Sequence, residues 1–251
     1  MKADRSRLVA GINPVIAALR AKAGDIERIL VVEDTRNQRV HDIELMARDA
    51  GVAVEHTRRD RLAELTGLDS HQDVVAELGG QVSLDESGLL ALLDDLEEAP
   101  LLLVLDGVTD PHNLGACLRT AEAAGVHAVI VPRDRSAGLT PAARKVSAGA
   151  SEVLPLVQVT NLARTLRALK DRGIWLYATS DKAEATLYEQ DFSGPVALVM
   201  GSEGEGVRRL TEETCDFLLS IPMAGAIESL NVSVATGVCL FEIRRRRAGA
   251  A

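Results

Sequence analysis

From Leu101 to the end of the chain, short runs that are apolar at almost every position alternate with stretches whose apolar residues recur at helical spacing. The runs are "LLLVLD", "HAVIVP", "LPLVQV", "IWLYATS", "PVALVMG" and "FLLSIPM". The helical stretches are "NLGACLRTAEAAG", "TPAARKVSAGA", "NLARTLRALKDRG", "VRRLTEETC" and, after the last run, "ESLNVSVATGVCLFEI". Strands with no polar face must be covered on both sides, which predicts a parallel sheet between layers of helices. Ligands of such sheets bind beyond the carboxyl ends of the strands, so the loops that follow strands are where chemistry is expected.

Before Leu101 the alternation is looser. "INPVIAALRAKAG" predicts a helix with Asn13 as N-cap and Pro14 at its first position, ending at Gly24. Strand "IERILVVE", helix "RVHDIELMARDAG", strand "VAVEH", a basic turn "TRRDR" and strand "DVVAEL" follow. Residues 1–78 thus predict a small α/β domain. In "GGQVSLDESGLLALLDDLEEAP" two glycines break the pattern, and the leucines suit one face of a short amphipathic helix. Residues 79–98 therefore read as an acidic linker, and 99–251 as a second domain.

Composition adds three constraints. Aromatic residues make up only 2% of the chain against 47% hydrophobic residues, so Leu, Val, Ile and Ala have to build the core. No apolar run approaches the roughly 20 residues that span a bilayer, and "MKADRSRLVAG" has no apolar signal-peptide stretch, so a cytoplasmic protein is expected. Cys117, Cys215 and Cys239 lie far apart without CxxC spacing, which argues against a zinc site or a disulfide framework. The net charge of −9 is unevenly spread: −2 over residues 1–78, −6 over 79–98 and −1 over the remainder. Outside the acidic segment, basic clusters at Arg36/Arg39, Arg58/Arg59/Arg61, Arg133/Arg135, Arg144/Lys145 and the four arginines at 244–247 leave nucleic-acid binding open.

Three loops carry polar chemistry. In "DGVTDPHNLGACLRTA", Asn113 suits an N-cap and Arg119 follows six residues later; alone they read as a cap and a surface arginine. "MGSEGEGV" has three glycines but matches neither a Walker loop nor a dinucleotide fingerprint. It suits a turn that bares its main chain to a small polar ligand, with Glu203 pointing inward. "ESLNVSVATGVCLFEI" begins with Glu228, Ser229 and Asn231 although its remainder is apolar on nearly every face; alone, Ser229 and Asn231 read as helix caps.

Together, "NLGACLRTA", "LVMGSEGEG" and "IPMAGAIESLNVSVATGV" resemble the three ordered motifs of the SPOUT superfamily, and within it the tRNA/rRNA (guanosine-2'-O)-methyltransferase family. The likeness covers about residues 100–245. The N-terminal part resembles the L30e-like substrate-binding domain of bacterial 23S rRNA (guanosine-2'-O)-methyltransferases, through "VAGINPVIAALRA" and "SHQDVVAEL". Asp73 stands where the second of these segments normally has glycine.

The resemblance implies an α/β protein with a C-terminal parallel-sheet SPOUT domain tied in a deep trefoil knot, plus a small N-terminal α/β L30e-like domain. It implies transfer of a methyl group from S-adenosyl-L-methionine to a ribose 2'-hydroxyl of a guanosine in 23S rRNA, by a homodimer joined through the catalytic domain. Arg119 would act on the hydroxyl, either taking its proton or orienting it with the adjacent phosphate. Asn113 would hold the ribose or the arginine, Glu203 would fix loops and position substrate, and Ser229 and Asn231 would complete the pocket. Main-chain groups at Gly201, Ile221 and Leu230 would hold the cofactor. Arg58, Arg59 and Arg61 would reach for RNA. No metal is implied, because sulfonium is already a good leaving group. The same chemistry on a tRNA guanosine, or on an rRNA adenosine as in thiostrepton-resistance enzymes, is the nearest alternative. A non-catalytic RNA-binding assembly factor is another, and the intact set of five polar residues speaks against it.

Overall fold

The computed structural model of the 251-residue chain describes residues 5–79, 83–202, 204, 206–226 and 229–249. In chain order the elements are β1 (Leu8–Ala10), α1 (Ile12–Lys22), β2 (Ile26–Val32), α2 (Gln38–Asp49), β3 (Val54–Thr57), α3 (Arg59–Thr66), β4 (Val74–Leu78) and α4 (Glu86–Asp94). There follow β5 (Leu101–Asp106), α5 (Pro111–Ala123), β6 (Ala128–Pro132), α6 (Pro141–Ser147), α7 (Ala150–Val153), β7 (Leu156–Val159), α8 (Leu162–Asp171) and β8 (Trp175–Thr179). The chain ends with β9 (Val196–Gly201), α9 (Arg209–Thr214), β10 (Phe217–Leu219) and α10 (Val232–Ala248). Two compact units result: Met1–Val82 with Gly138–Val153, and Ser83–Ala137 with Leu154–Ala251.

The first unit holds a mixed sheet in the order β1-β4-β2-β3, with β4 antiparallel to β1 and β2. Successive residues of its strands feed two cores. Val9, Ile29, Val31, Val74 and Ala76 pack with α1 and α2, while Leu8, Leu30, Val32 and Val75 pack with Leu62 of α3. The basic stretch expected to be a turn is therefore the start of a helix, because Leu62 is needed to cover the second face. Gly67, at φ 71°, closes that helix. Helix α1 begins earlier than its local pattern predicts. Gly11 is its N-cap, and the Ile12 amide is capped from far along the chain by Gln72 Oε1 at 3.1 Å. Asn13 lies inside the helix instead of capping it, and its Oδ1 accepts from Arg39 at 2.7 Å.

The predicted helix "TPAARKVSAGA" is broken into α6 and α7 by Ala148 and Gly149, both at positive φ. The break folds Glu152 back onto Arg144, and both side chains are fully buried. Lys22 also pairs with Glu152 at 2.9 Å, and the Ser6 carbonyl accepts from Arg144 at 3.0 Å. Burial alone would push the Glu152 carboxyl up, but the two cations hold it below the ordinary glutamate range.

The second unit is built on a sheet in the order β10-β8-β9-β5-β6-β7, parallel throughout. Leu102, Val104, Ala197 and Val199 share one core with Leu162, Leu166 and Leu169 of α8 and with Leu89 and Leu93 of α4, inside the acidic stretch. Leu101, Leu103, Leu105, Leu198 and Met200, of opposite parity, are buried as well. Helix α10 lies against α5 and β9. The expected strand "FLLSIPM" is shorter than predicted and ends at Leu219.

The C-terminal arginines are mostly employed inside this unit. Arg247 donates to the carbonyls of Ala99 (3.0 Å), Pro100 (2.9 Å), Phe192 (3.1 Å) and Gly194 (2.7 Å), fastening the end of α10 beside the starts of β5 and β9. Arg245 and Arg246 pair with Glu242, whose carboxyl they hold down at about 2, the Arg245 hydrogen bond contributing most. Replacing Arg247 by Ala should lower stability by about 2–4 kcal/mol, because four carbonyls lose a charged donor together. Urea unfolding followed through the fluorescence of Trp175, the chain's one tryptophan, checks this; Arg247→Lys should not restore the loss, since a single ammonium cannot span four acceptors.

Candidate active site

The strands of the second unit bring their carboxyl ends together. Asp106 of β5 is in register with Gly201 of β9, and Thr179 of β8 with Leu219 of β10. The loops leaving these ends carry the polar residues singled out in the sequence.

After β5, Gly107 turns the chain at φ 86° and Asp110 caps α5, accepting from the His112 amide at 2.9 Å. Asn113 is therefore not the cap. Pro111 occupies the first helical position, so the helix begins two residues before Asn113 and leaves the Asn113 side chain available elsewhere. Its Oδ1 accepts from Asn231 Nδ2 at 3.0 Å. Arg119 is exposed farther along α5, and its six-residue separation from Asn113 puts the two roughly 240° apart around the helix. Between them Cys117 is buried, its Sγ 3.6 Å from Thr236 Oγ1 of α10. Burial pushes that thiol up to about 11, so it stays protonated near neutral pH and is no nucleophile.

After β9 the chain folds back on itself. Ser202 and Gly206 exchange two main-chain hydrogen bonds of 3.1 and 3.0 Å, and Gly204 and Gly206 have φ of 84° and 67°. Gly201 must be glycine for a different reason: a Cβ there would overlap the main chain of Gly206 and Val207. Glu203, expected at the site from the sequence, lies outside the described residues. The structure adds two residues that the sequence motifs do not single out, Asp106 and Arg208. Asp106 is completely buried, and it accepts from Arg208 Nε at 2.6 Å and from the Arg208 amide at 3.2 Å. A carboxylate closing an otherwise apolar strand was the available signal, since buried charge requires a partner.

After β10, Ile221 is half-buried and Leu230 is 36% exposed. Both lie outside sheet and helix, so their main-chain groups are not committed to either. Ser229 is exposed. Asn231 caps α10, its Oδ1 accepting from the Ser233 amide at 3.0 Å while its Nδ2 reaches Asn113. One side chain thus caps a helix and links the first polar loop to the third.

In the first unit Arg58, Arg59 and Arg61 open α3, and each has a carboxylate partner: Asp60, Asp73 and Glu64 respectively. Asp73, where the resemblance leads one to expect glycine, has the positive φ of 67° that glycine adopts most easily. Aspartate tolerates that region better than most residues, and its carboxylate is held by Arg59 and by Thr35 Oγ1 at 3.0 Å. The neighbouring His71 is buried, which lowers its pKa, and Arg59 adds to the effect.

The model of the SpoU rRNA Methylase family matches residues 100–241, and that of RNA 2'-O ribose methyltransferase substrate binding matches residues 8–80. The chain is 55% identical over 247 residues to a 23S rRNA (guanosine-2'-O-)-methyltransferase RlmB of Ralstonia nicotianae, covering 97% of each chain. A protein of the same name from Escherichia coli is 48% identical over 242 residues, covering 96% of this chain and 99% of its own. Among solved structures, the SpoU methyltransferase AviRb from Streptomyces viridochromogenes, in complex with the cofactor AdoMet, is similar with a TM-score of 0.81. The identity to AviRb is 25%, over 96% of this chain and 90% of that one.

The closed turn after β9 makes a sharp prediction. Gly201→Ala should destabilise the second unit by about 1–3 kcal/mol or more, because the added methyl meets main chain that has no room to move. A melting temperature equal to wild type would show that the turn is looser than described.

Proposed function

The chain belongs to the SpoU rRNA methylase family, and we propose that it transfers a methyl group from S-adenosyl-L-methionine to the ribose 2'-hydroxyl of a guanosine in 23S rRNA. The observation that carries this reading is 55% identity, over 97% of both chains, to an enzyme named for that reaction.

The residues at the strand ends suit the cofactor. Gly201, Gly204 and Gly206 present main chain without side chains, and Ile221 and Leu230 have main-chain groups outside the regular elements. Gly201, Ile221 and Leu230 would hold the adenosyl and methionyl parts through those groups. When bound, S-adenosyl-L-methionine supplies an electrophilic methyl on sulfonium. The 2'-hydroxyl is a poor nucleophile until its proton is polarised or removed. The planar guanidinium of Arg119 offers only donors, so in this reading it donates to the hydroxyl and the adjacent phosphate and leaves the phosphate to assist proton loss. Asn113 and Asn231, joined at 3.0 Å, hold the ribose end of the pocket, with Ser229 and Glu203 completing it.

The first unit, residues 1–78 with 138–153 grouped to it, would act as an L30e-like RNA-binding domain using Arg58, Arg59 and Arg61. The rest of 99–251 would catalyse, and of the acidic stretch 79–98 the helix α4 belongs to that second unit's core and is more than a connector. Two observations support the finer architecture of the family. β10 lies at one edge of the sheet, yet α10, which follows it, returns to β9 and α5, as threading in a trefoil knot requires. Val234 and Phe241, seven residues apart on α10, are each 52% exposed, which suits a homodimer through this domain. No helix among the described residues is long and apolar enough to cross a membrane, and a cytoplasmic enzyme is the fitting assignment for an rRNA substrate.

Mapping 2'-O-methyl groups in 23S rRNA from a strain lacking the protein tests the reaction: one guanosine should lose its methyl, and unchanged rRNA would contradict the reading. Purified Arg119→Ala should still bind S-adenosyl-L-methionine by calorimetry but transfer methyl roughly 10²–10⁴-fold more slowly, the range for a lost group acting on a proton in the transition state. Full retained activity would remove Arg119 from the mechanism.

A further inference from the structure

Asp106 and Arg208 have no part in the proposed reaction, yet they meet at the point where the chain leaves β9 and returns to the sheet. The chain leaves the sheet at Gly201, closes on itself through Ser202 and Gly206, and returns through the buried Val207 to Arg208. Arg208 then grips Asp106 with its main-chain amide and with its guanidinium. Asp106 is the residue in register beside Gly201. Both ends of the glycine-rich loop are therefore fixed to the same point of the sheet, one through the β5/β9 pairing and the other through an ion pair. Gly107, next in the chain, packs against Ser202, at whose Cβ and Oγ a methyl on Gly107 would lie 3.6 Å away.

A loop this rich in glycine has much freedom to lose, at roughly 1–2 kcal/mol for each residue fixed. With the clasp closed, both ends of the loop are held before any ligand arrives. With the clasp open, ligand binding would have to order the loop, and the cost would appear as weaker affinity. We infer that the Asp106–Arg208 pair is a positioning device that holds the two ends of this turn, Gly201 with Ser202 and Gly206 with Val207, in place for S-adenosyl-L-methionine. The inference rests on the proposed function, in which Gly201 holds the cofactor. It specifies an effect on cofactor affinity rather than on RNA binding or on the methyl-transfer step.

Arg208→Ala alone would leave a buried carboxylate unpaired, a change severe enough to unfold the domain. Better variants are Asp106→Asn, which removes the charge at constant shape, Arg208→Lys, which keeps the charge but not the fork, and the double variant Asp106→Asn/Arg208→Gln. For each variant, steady-state kinetics give the Michaelis constants for S-adenosyl-L-methionine and for the rRNA substrate together with kcat, and thermal unfolding gives the melting temperature. The Michaelis constant for S-adenosyl-L-methionine should rise roughly 10- to 100-fold in Asp106→Asn and in the double variant, as expected for losing one charged hydrogen-bonded pair. Arg208→Lys should fall between these and wild type, while kcat at saturation and the Michaelis constant for RNA should stay close to wild type. An unchanged Michaelis constant for S-adenosyl-L-methionine, with or without a lower melting temperature, would overturn the inference and leave a purely structural ion pair. Wild-type protein that does not bind S-adenosyl-L-methionine would instead overturn the proposed function, and the inference with it.

Discussion

Both faces of the six-stranded sheet in the second unit are packed against apolar side chains, and this fixes where polar groups can go. A charge or amide in the middle of such a strand would be cut off from water and partners. At the carboxyl ends of β5, β9, β8 and β10 the chain leaves the core, and the polar residues concentrate there. Asp106 marks the boundary: it is the last residue of its strand, fully buried, and tolerable only because Arg208 returns to meet it. The glycine turn, the capping asparagine and the polar opening of α5 are arranged around the same edge of the sheet.

Helix α10 shows how one element serves both the core and the site. Its side chains Thr236, Cys239, Leu240 and Ile243 are buried and the helix lies against α5 and β9, while its first turn is organised by Asn231. The Asn231 side chain satisfies one of the amides that every helix leaves open at its start and gives a donor to Asn113. At the other end, Arg247 ties the helix to the opposite rim of the sheet, among the carbonyls of 99, 100, 192 and 194. The four arginines at 244–247, whose charge suits the carboxyl end of a helix slightly better than an RNA patch, are thus largely committed to holding the helix in place. Arg244 is the exposed member outside those pairs.

Most of the parallel sheet was legible in the sequence, because strands covered on both faces leave continuous apolar runs. The candidate site was legible only as three polar, glycine-associated loops following such runs. What escaped was whatever depended on residues far apart in sequence. Gln72 caps α1 from sixty residues away, so the local pattern points to Asn13 instead. Asp110, one residue before a proline, is a better cap than Asn113, and that is what frees Asn113 for Asn231. Helix α3 escaped because three arginines among four residues suggest a turn, whereas the sheet face that Leu62 covers decides the matter. Asp73 shows the reverse: where the resemblance leads one to expect glycine, the aspartate holds a positive φ with its carboxylate tied to Thr35 and Arg59.

In the proposed reaction the loops beyond β9 and β10 form the cofactor site. Hydrogen–deuterium exchange of the intact protein, with and without saturating S-adenosyl-L-methionine, measures this directly. Protection should appear in the segments 201–207 and 220–231 and at the start of α10, with little change in α2, β3 and α3 of the first unit. Protection confined to the first unit, or no change in those two segments, would contradict it.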